Sequence, residues 1–251
     1  MRSAAMILRA ALVLFLALAF AAAPLFSDFN GFDPAPYPVP QQDPPVQPAG
    51  WAFAIWGLIY LWLIVHGAWG LLRRPSDPAW DRVRLPLIVS LGVGIPWLAA
   101  AERSPLFATA MIWIMLVAAL LALWRVTTAT DRLLLAPPVA IYAGWLTAAS
   151  SVSVGLLLAG WGITGEDAAA WIGLAIAAAL AAWTQLRLRR APEYALTVAW
   201  AALGVLARNL GTNAGLAAAA GLVAAGMLVL SFSALAGERM GRRDWSGSSR
   251  A

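Results

Sequence analysis

The side chains able to perform chemistry are few in this chain, and they form no catalytic constellation. The sequence contains no cysteine and no lysine, and His66 is its one histidine. Thiolate sites, Schiff-base chemistry and multi-histidine metal sites are therefore excluded. The twelve carboxylates lie in connecting segments, away from the middle of any apolar stretch. Because a nucleophile, a base and an orienting group cannot be assembled from this set, we expect no catalytic residue, no bound metal and no enzymatic activity.

Aromatic residues are abundant instead, with 14 Trp against 4 Tyr. Residues 51–72, taken as a helix of about 100° per residue, place their aromatic side chains on two opposite faces. One face carries Phe53, Trp56 and Tyr60, and the other carries Trp51, Trp62, Trp69 and His66. The polar groups of Trp56 and Tyr60 need partners in hydrocarbon, so these residues either bond across a bundle or line a cavity. We interpret His66 as a donor to a neighbouring carbonyl rather than as a haem ligand.

The elements that position these residues are predicted to be membrane helices. Hydrophobic residues make up 62% of the 251 residues and charged residues 12%, and the mean hydropathy is +0.76. Soluble domains carry about a quarter charged residues, so a soluble globule or a disordered chain is not expected. Eight stretches suit spanning helices of about 20 residues: 5–26, 51–72, 85–101, 105–124, 134–160, 168–186, 194–208 and 214–236. We predict an all-α fold, a polytopic membrane helical bundle with about eight transmembrane helices.

The arginines predict how the bundle is oriented. With alternating spans and a cytoplasmic N-terminus, 15 of the 17 cations fall in the cytoplasm, whereas Arg103 and Arg208 fall outside. This positive-inside pattern predicts an even number of spans and two cytoplasmic termini, and we expect a bacterial inner membrane. The lipid bilayer is then the expected partner, and the net charge of +5 needs no nucleic acid. The first span shares features with a signal peptide, but we expect an uncleaved helix.

Residues 27–50 are Pro-rich and contain no cation, and the chain then reads PAGWAFAIWGLIY over residues 48–60. This combination resembles the tryptophan-rich sensory protein / translocator protein (TspO/MBR) family. The family signature is approximately Pro-x-Trp-x-Phe-x-x-x-Trp-x-x-x-Tyr after a Pro-rich external loop. Pro48, Trp56 and Tyr60 stand at matching offsets, whereas Trp51 and Phe53 stand one residue later than the family's first Trp and Phe.

A second motif lies in the fifth span and strengthens the resemblance. The residues in register with the family's Tyr-x-x-Trp-x-Thr-x-Ala-Ser run are Tyr142, Trp145, Thr147, Ala149 and Ser150. Trp97 in the third span is a weaker match. The family's Gln and Asn upstream of that Trp correspond here to Ser90 and Gly94, so those two polar groups are absent.

The resemblance implies a five-helix transmembrane unit over residues 1–160, with its ligand pocket near the external loop 27–50. Residues 161–236 would form a three-helix transmembrane extension, and residues 237–251 a basic cytoplasmic tail. No cofactor is firmly implied, but a porphyrin or another tetrapyrrole is the expected ligand. The expected ligand-binding residues are Trp51, Phe53, Trp56, Tyr60, Trp97, Arg103, Tyr142 and Trp145. Arg103 is the candidate cation for the propionates of a tetrapyrrole, and an ion pair with Glu102 is the alternative interpretation of this residue.

Two functions of different classes follow from these expectations. The first is a membrane binding protein for a hydrophobic planar ligand, acting as a sensor, carrier or scavenger. The alternative is a structural or assembly subunit of a larger membrane complex, with the extension as its docking face. The expected protein partner is accordingly either a second copy of the chain, in a homodimer, or a component of a membrane complex. A secondary transporter is disfavoured, because no internal repeat relates the first four spans to the last four.

Overall fold

The structure is a computed structural model that describes residues 2–27, 36–126 and 131–248, with side chains described within residues 3–236. Every regular element in these ranges is helical. The α-helices are α1 (Arg2–Ala22), α2 (Ile55–Leu72), α3 (Pro78–Gly94), α4 (Trp97–Ala101), α5 (Pro105–Arg125), α6 (Arg132–Gly160), α7 (Glu166–Leu188), α8 (Pro192–Asn209) and α9 (Ala214–Ser248). Two short 3₁₀ helices span Ala23–Phe26 and Gly50–Ala54. The predicted tail, 237–251, continues α9 as far as Ser248, and its side chains lie outside the described residues.

Six of the described helices are long and apolar enough to cross a membrane, which supports the predicted helical membrane bundle. These candidate spans are Ser3–Phe26, Gly50–Leu72, Pro105–Arg125, Arg132–Gly160, Glu166–Leu188 and Ala214–Ala236. The predicted count of eight is not supported, because the helices at the predicted third and seventh spans are not both long enough and apolar enough to count as candidate spans. The third divides at Pro96 into α3 and α4, and α8 has Glu193 near its start and Arg208 near its end. Both still pack in the bundle, α3 against α1 and α5, and α8 against α6 and α9.

The central helix of the bundle is α6, in which 22 of the 29 residues are buried. It packs against α2, α5, α7 and α8. Its close approach to α8 depends on Gly144, because a Cβ atom there would stand 2.7 Å from the backbone oxygen of Tyr194. The Thr147 hydroxyl donates to the Ala143 carbonyl, so the Tyr194 hydroxyl must donate to Thr147, at 2.9 Å. Small residues and a satisfied polar pair thus join these two helices.

Two prolines inside α6 leave two of its carbonyl groups without their helical partners. Pro137 and Pro138 have no backbone N–H, so the carbonyls of Leu133 and Leu134 receive no hydrogen bond from the following turn. Two side chains one turn apart on α2 supply the missing donors. Trp62 Nε1 donates to Leu133 O at 3.2 Å, and His66 Nδ1 donates to Leu134 O at 2.8 Å. The expectation that His66 bonds a carbonyl is therefore confirmed.

A buried arginine joins α1, α2 and α3 at the end of the bundle that carries the start of α1. Arg84 is 2% exposed, and its guanidinium donates to four backbone carbonyls. These belong to Met6, Gly70, Arg74 and Pro75, at distances of 2.6–3.1 Å. Three of the four lie at or just beyond the end of α2, where helix carbonyls lack intrahelical partners and the helix dipole favours a cation.

Three ion pairs surround this arginine-rich end and tie separate helices together. They are Arg9–Asp81, Arg74–Asp131 and Arg132–Glu193, with N–O distances of 2.7, 2.5 and 2.8 Å. Hydrogen bonding to the Arg74 guanidinium holds the pKa of Asp131 below its ordinary value, so this carboxylate stays ionised at neutral pH. The predicted clustering of cations at one end of the bundle is thus matched by carboxylates on neighbouring helices.

The first helix is part of the packed core. Its buried face carries Ala10, Val13, Ala17 and Phe20 at helical spacing, and α1 packs on α2 and α3. The contact with α2 is close, since a Cβ atom at Gly67 would stand 2.8 Å from the Cα atom of Leu14. Phe20, at the far end of this face, reaches the aromatic residues of α2.

We expect His66→Phe to lower the free energy of unfolding by about 1–3 kcal/mol, because the Leu134 carbonyl loses its donor in an apolar environment. Adding Pro138→Ala restores a backbone N–H for that carbonyl and should recover part of the loss, measured by thermal unfolding in detergent.

Pro137→Ala is the matched control, because it restores a donor to Leu133 instead. It should rescue Trp62→Phe but not His66→Phe. Equal rescue of both variants by either alanine would contradict this pairing of donors with carbonyls.

Candidate functional site

A cavity of about 360 Å³ lies at the end of the bundle where α2 begins. Helices α1, α2, α4, α5 and α6 enclose it, together with the segment before α2. Five aromatic residues supply much of its wall: Phe20, Phe53, Trp56, Tyr60 and Trp97. The aliphatic part is Leu98, Ile112, Met115 and Leu146, and the rim is Pro24, Gln47 and Gly50. The volume falls near the lower end of the range typical of small-molecule pockets.

The aromatic wall is built by α2 and completed by α1. Trp56 and Tyr60 stand one turn apart and their rings stack, with centroids 5.2 Å apart and planes 20° apart. Phe20 stands edge-on against both rings, at 5.8 and 5.4 Å. Its place depends on Gly94 of α3, because a Cβ atom there would stand 2.7 Å from the Phe20 ring. The glycine at the family's Asn position thus makes room for an aromatic ring.

Two of the predicted ligand-binding residues, Tyr142 and Trp145, support the wall from behind. Trp145 is 2% exposed and packs edge-on against Phe53 at 5.5 Å and Trp56 at 6.1 Å. Tyr142 is fully buried and packs edge-on against Phe20 at 5.8 Å. Neither is among the residues that line the cavity.

The hydroxyl of Tyr142 belongs to a buried polar chain. Ser90 Oγ donates to the Met115 carbonyl at 2.8 Å, so the Tyr142 hydroxyl must donate to Ser90, at 3.0 Å. Ser90 occupies the family's Gln position, and its hydroxyl here joins three helices rather than facing the cavity.

Four predicted residues line the cavity, namely Phe53, Trp56, Tyr60 and Trp97. Trp97 is oriented by its indole, which donates to the Ala108 carbonyl at 2.9 Å. Whether these four bind a ligand stays a prediction.

The other two predicted residues lie away from the cavity. Trp51 is half exposed and packs edge-on against Trp200 of α8 at 4.9 Å. Arg103 donates to the Ala99 carbonyl at 3.1 Å on the surface, and the neighbouring Glu102 accepts a hydrogen bond from Ser27. The structure therefore does not place Arg103 where it could pair with a carboxylate inside the cavity.

One family is similar to this chain over most of its length. A family model described as TSPO-like protein matches residues 6–233. The chain belongs to the TSPO-like protein family. Membership makes it a membrane protein of the ligand-binding or sensory kind, and the match runs beyond the predicted five-helix unit into α7, α8 and α9. No curated protein and no solved structure gives a significant match.

In this TSPO-like chain, the described part of the Pro-rich loop, residues 36–49, is fastened to α6 and α8 by hydrogen bonds. Val39 N donates to Gly160 O at 2.8 Å, and Ala49 N donates to Gly204 O at 3.0 Å. Asn209 at the end of α8 donates through Nδ2 to Pro45 O at 2.9 Å. Each contact satisfies a backbone group of a segment that proline prevents from forming regular structure.

Glycines on α6, α7 and α8 make room for the apolar side chains of the loop. A Cβ atom would stand 2.7 Å from Val46 if placed at Gly173, and 2.8 Å from Pro48 if placed at Gly204. The ring of Tyr37 packs on Gly160, and burial raises the pKa of this tyrosine to about 12. The loop therefore sits in complementary depressions, and its end delivers Gln47 and Gly50 to the cavity rim.

The arginine at the end of α8 also contacts this loop. Arg208 Nη2 pairs with the Asp43 carboxylate at 2.5 Å, although that carboxylate is largely exposed. Exposed ion pairs contribute little free energy, so the buried glycine contacts and backbone hydrogen bonds are the main attachment.

We expect Gly204→Ala to loosen the loop, because the added methyl group would overlap Pro48 and Ala52. Hydrogen exchange at the Ala49 amide, which donates to Gly204 O, should become faster.

The matched control is Gly226→Ala on α9, where a Cβ atom meets nothing within 4 Å. Both changes raise helix propensity equally. If Gly226→Ala accelerated exchange at Ala49 as much as Gly204→Ala does, the proposed steric cause would be wrong.

Proposed function

We propose that this TSPO-like protein binds a hydrophobic planar ligand, with a tetrapyrrole as the candidate class, in the cavity faced by Trp56 and Tyr60. The observation that carries the proposal is the aromatic wall itself. Two stacked rings on one helix, with Phe20 edge-on beside them, adjoin an unfilled space of about 360 Å³. We further propose that binding serves sensing, carriage or scavenging of that ligand.

The physical basis of binding is apolar burial with aromatic stacking. Each aromatic contact contributes roughly 0.5–1.5 kcal/mol beyond area burial, and the aliphatic floor formed by residues such as Ile112 and Leu146 adds burial. The cavity volume of about 360 Å³ lies near the lower end of the range for pockets that take drug-sized ligands, which are smaller than a tetrapyrrole. A whole tetrapyrrole would therefore extend beyond the cavity, so one edge of the macrocycle would be enclosed.

We also propose binding without chemical conversion. Ligand recovered from the protein after prolonged incubation should have an unchanged mass spectrum, apart from the change seen in protein-free samples.

The proposed setting is a bacterial inner membrane with both termini in the cytoplasm. In support, the starts of α1, α3, α6 and α8 share the arginine-rich end through their ion pairs. The Pro-rich loop and the cavity lie at the opposite end, which would face the outside and receive a ligand from that side.

We expect Trp56→Ala to weaken protoporphyrin binding about tenfold, because one stacked wall ring and its buried area are lost. Quenching of intrinsic Trp fluorescence in detergent or nanodiscs measures the affinity.

Trp171→Ala is the control, since Trp171 is an exposed indole on α7 that lies away from the cavity. It should leave the affinity unchanged. An unaltered affinity in both Trp56→Ala and Trp145→Ala would remove the cavity from the proposal.

The assembly-subunit function stays the alternative proposal. Purification in mild detergent discriminates the two, because a defined stoichiometric protein partner would favour assembly, whereas a monomer or homodimer that binds protoporphyrin would favour ligand binding.

A further inference from the structure

The cavity has polar groups but no charge among its described lining residues. All twelve of these residues are uncharged. Three of them, Trp56, Tyr60 and Gln47, carry polar side-chain groups that make no hydrogen bond to the part of the chain that the structure describes. The fourth polar side chain of the lining, Trp97, already donates its indole N–H to the Ala108 carbonyl. The Trp56 indole, the Tyr60 phenol and the Gln47 amide therefore have hydrogen-bonding capacity that a ligand can use. Of these three groups, the indole can only donate, whereas the phenol and the amide can also accept.

The nearby charged side chains that the structure describes provide no counter-ion for a charged group in the cavity. The two arginines nearest this end of the bundle, Arg103 and Arg208, are bonded to Ala99 O and to Asp43. The connecting segment 27–50 contains no cation in its sequence. An anionic group placed in the cavity would therefore lose its water without gaining a counter-ion, which is strongly unfavourable.

The geometry points to a ligand whose enclosed part is an uncharged polycyclic ring system with a hydroxyl or carbonyl group, bound by Tyr60 and Gln47. This inference rests on the proposed function, since it names the chemical class that the same cavity takes. The phenol offers one O–H donor, and the amide offers both a donor and an acceptor, so together they match either group. Any charged substituents of the ligand stay outside the cavity.

Three probes that share one ring system test the inference: pyrene, 1-hydroxypyrene in its neutral form, and pyrene-1-sulfonate. Binding to the full chain in phosphatidylcholine nanodiscs is followed by energy transfer from Trp to pyrene, with partition into empty nanodiscs subtracted. We expect 1-hydroxypyrene to bind about fivefold more tightly than pyrene, because one hydrogen bond is gained. We expect pyrene-1-sulfonate to bind more weakly than pyrene.

Side-chain variants then test whether Tyr60 and Gln47 cause the preference for 1-hydroxypyrene over pyrene. Tyr60→Phe and Gln47→Leu should each reduce the ratio between the 1-hydroxypyrene and pyrene affinities towards one. Tyr37→Phe and Gln42→Leu change the same residue types outside the cavity and should keep the ratio. Gln47→Arg places a cation at the rim and should raise the affinity for pyrene-1-sulfonate above that for pyrene.

The outcomes separate this inference from the proposed function. If all three probes bind with equal affinity, and Trp56→Ala weakens them all, the cavity binds planar rings but the inferred polarity is wrong. The inferred polarity is likewise wrong if pyrene-1-sulfonate binds more tightly than the other two probes to the unmodified chain. If no probe shows binding that depends on Trp56, the proposed function fails and the inference fails with it.

Discussion

The pairing of α2 with the proline-interrupted start of α6 is the interaction on which the rest of the structure depends. Hydrocarbon offers no water to satisfy a free carbonyl, so the carbonyls of Leu133 and Leu134 require donors from a neighbouring helix. Trp62 and His66 are one turn apart and meet two consecutive carbonyls, which sets both the axial position and the rotation of α2. Once that rotation is set, the opposite face of α2, with Trp56 and Tyr60, must point into the bundle at the other end.

The cavity follows from this constraint together with a small number of glycines. Gly94 admits the ring of Phe20, which then braces the stacked pair on α2. The polar chain from Tyr142 through Ser90 to Met115 holds the helices behind the wall without placing a charge beside it. The result is an aromatic surface, supported from behind, next to space that the chain's own side chains do not fill, which is the arrangement that suits pre-organised recognition of a flat molecule.

The sequence predicted the helical membrane bundle and the two faces of α2, because periodicity alone determines which residues of a helix share a face. The resemblance placed Trp51 among the ligand-binding residues, although the helical projection put it on the face opposite Trp56 and Tyr60. The structure agrees with the projection, since Trp51 packs against Trp200 of α8. Phe20 escaped notice because α1 is apolar on every side, so its sequence pattern does not distinguish the core face from the lipid face. The division of the predicted third span coincides with Pro96, which has no backbone N–H to continue the helix, so this break had a signal in the sequence.

The extension is coupled to the cavity through the loop. Residues 36–49 rest on α6, which ends at residue 160, and equally on α7 and α8, which follow it. A proline-rich segment cannot satisfy its own backbone or bury its own side chains, so it needs such a platform to present Gln47 and Gly50 in constant positions. On this argument, a change within α8 alters the rim of the cavity even though no α8 residue lines it. The helices that follow residue 160 thus have a role within the chain itself, which is to hold the loop in position. That role requires no partner protein.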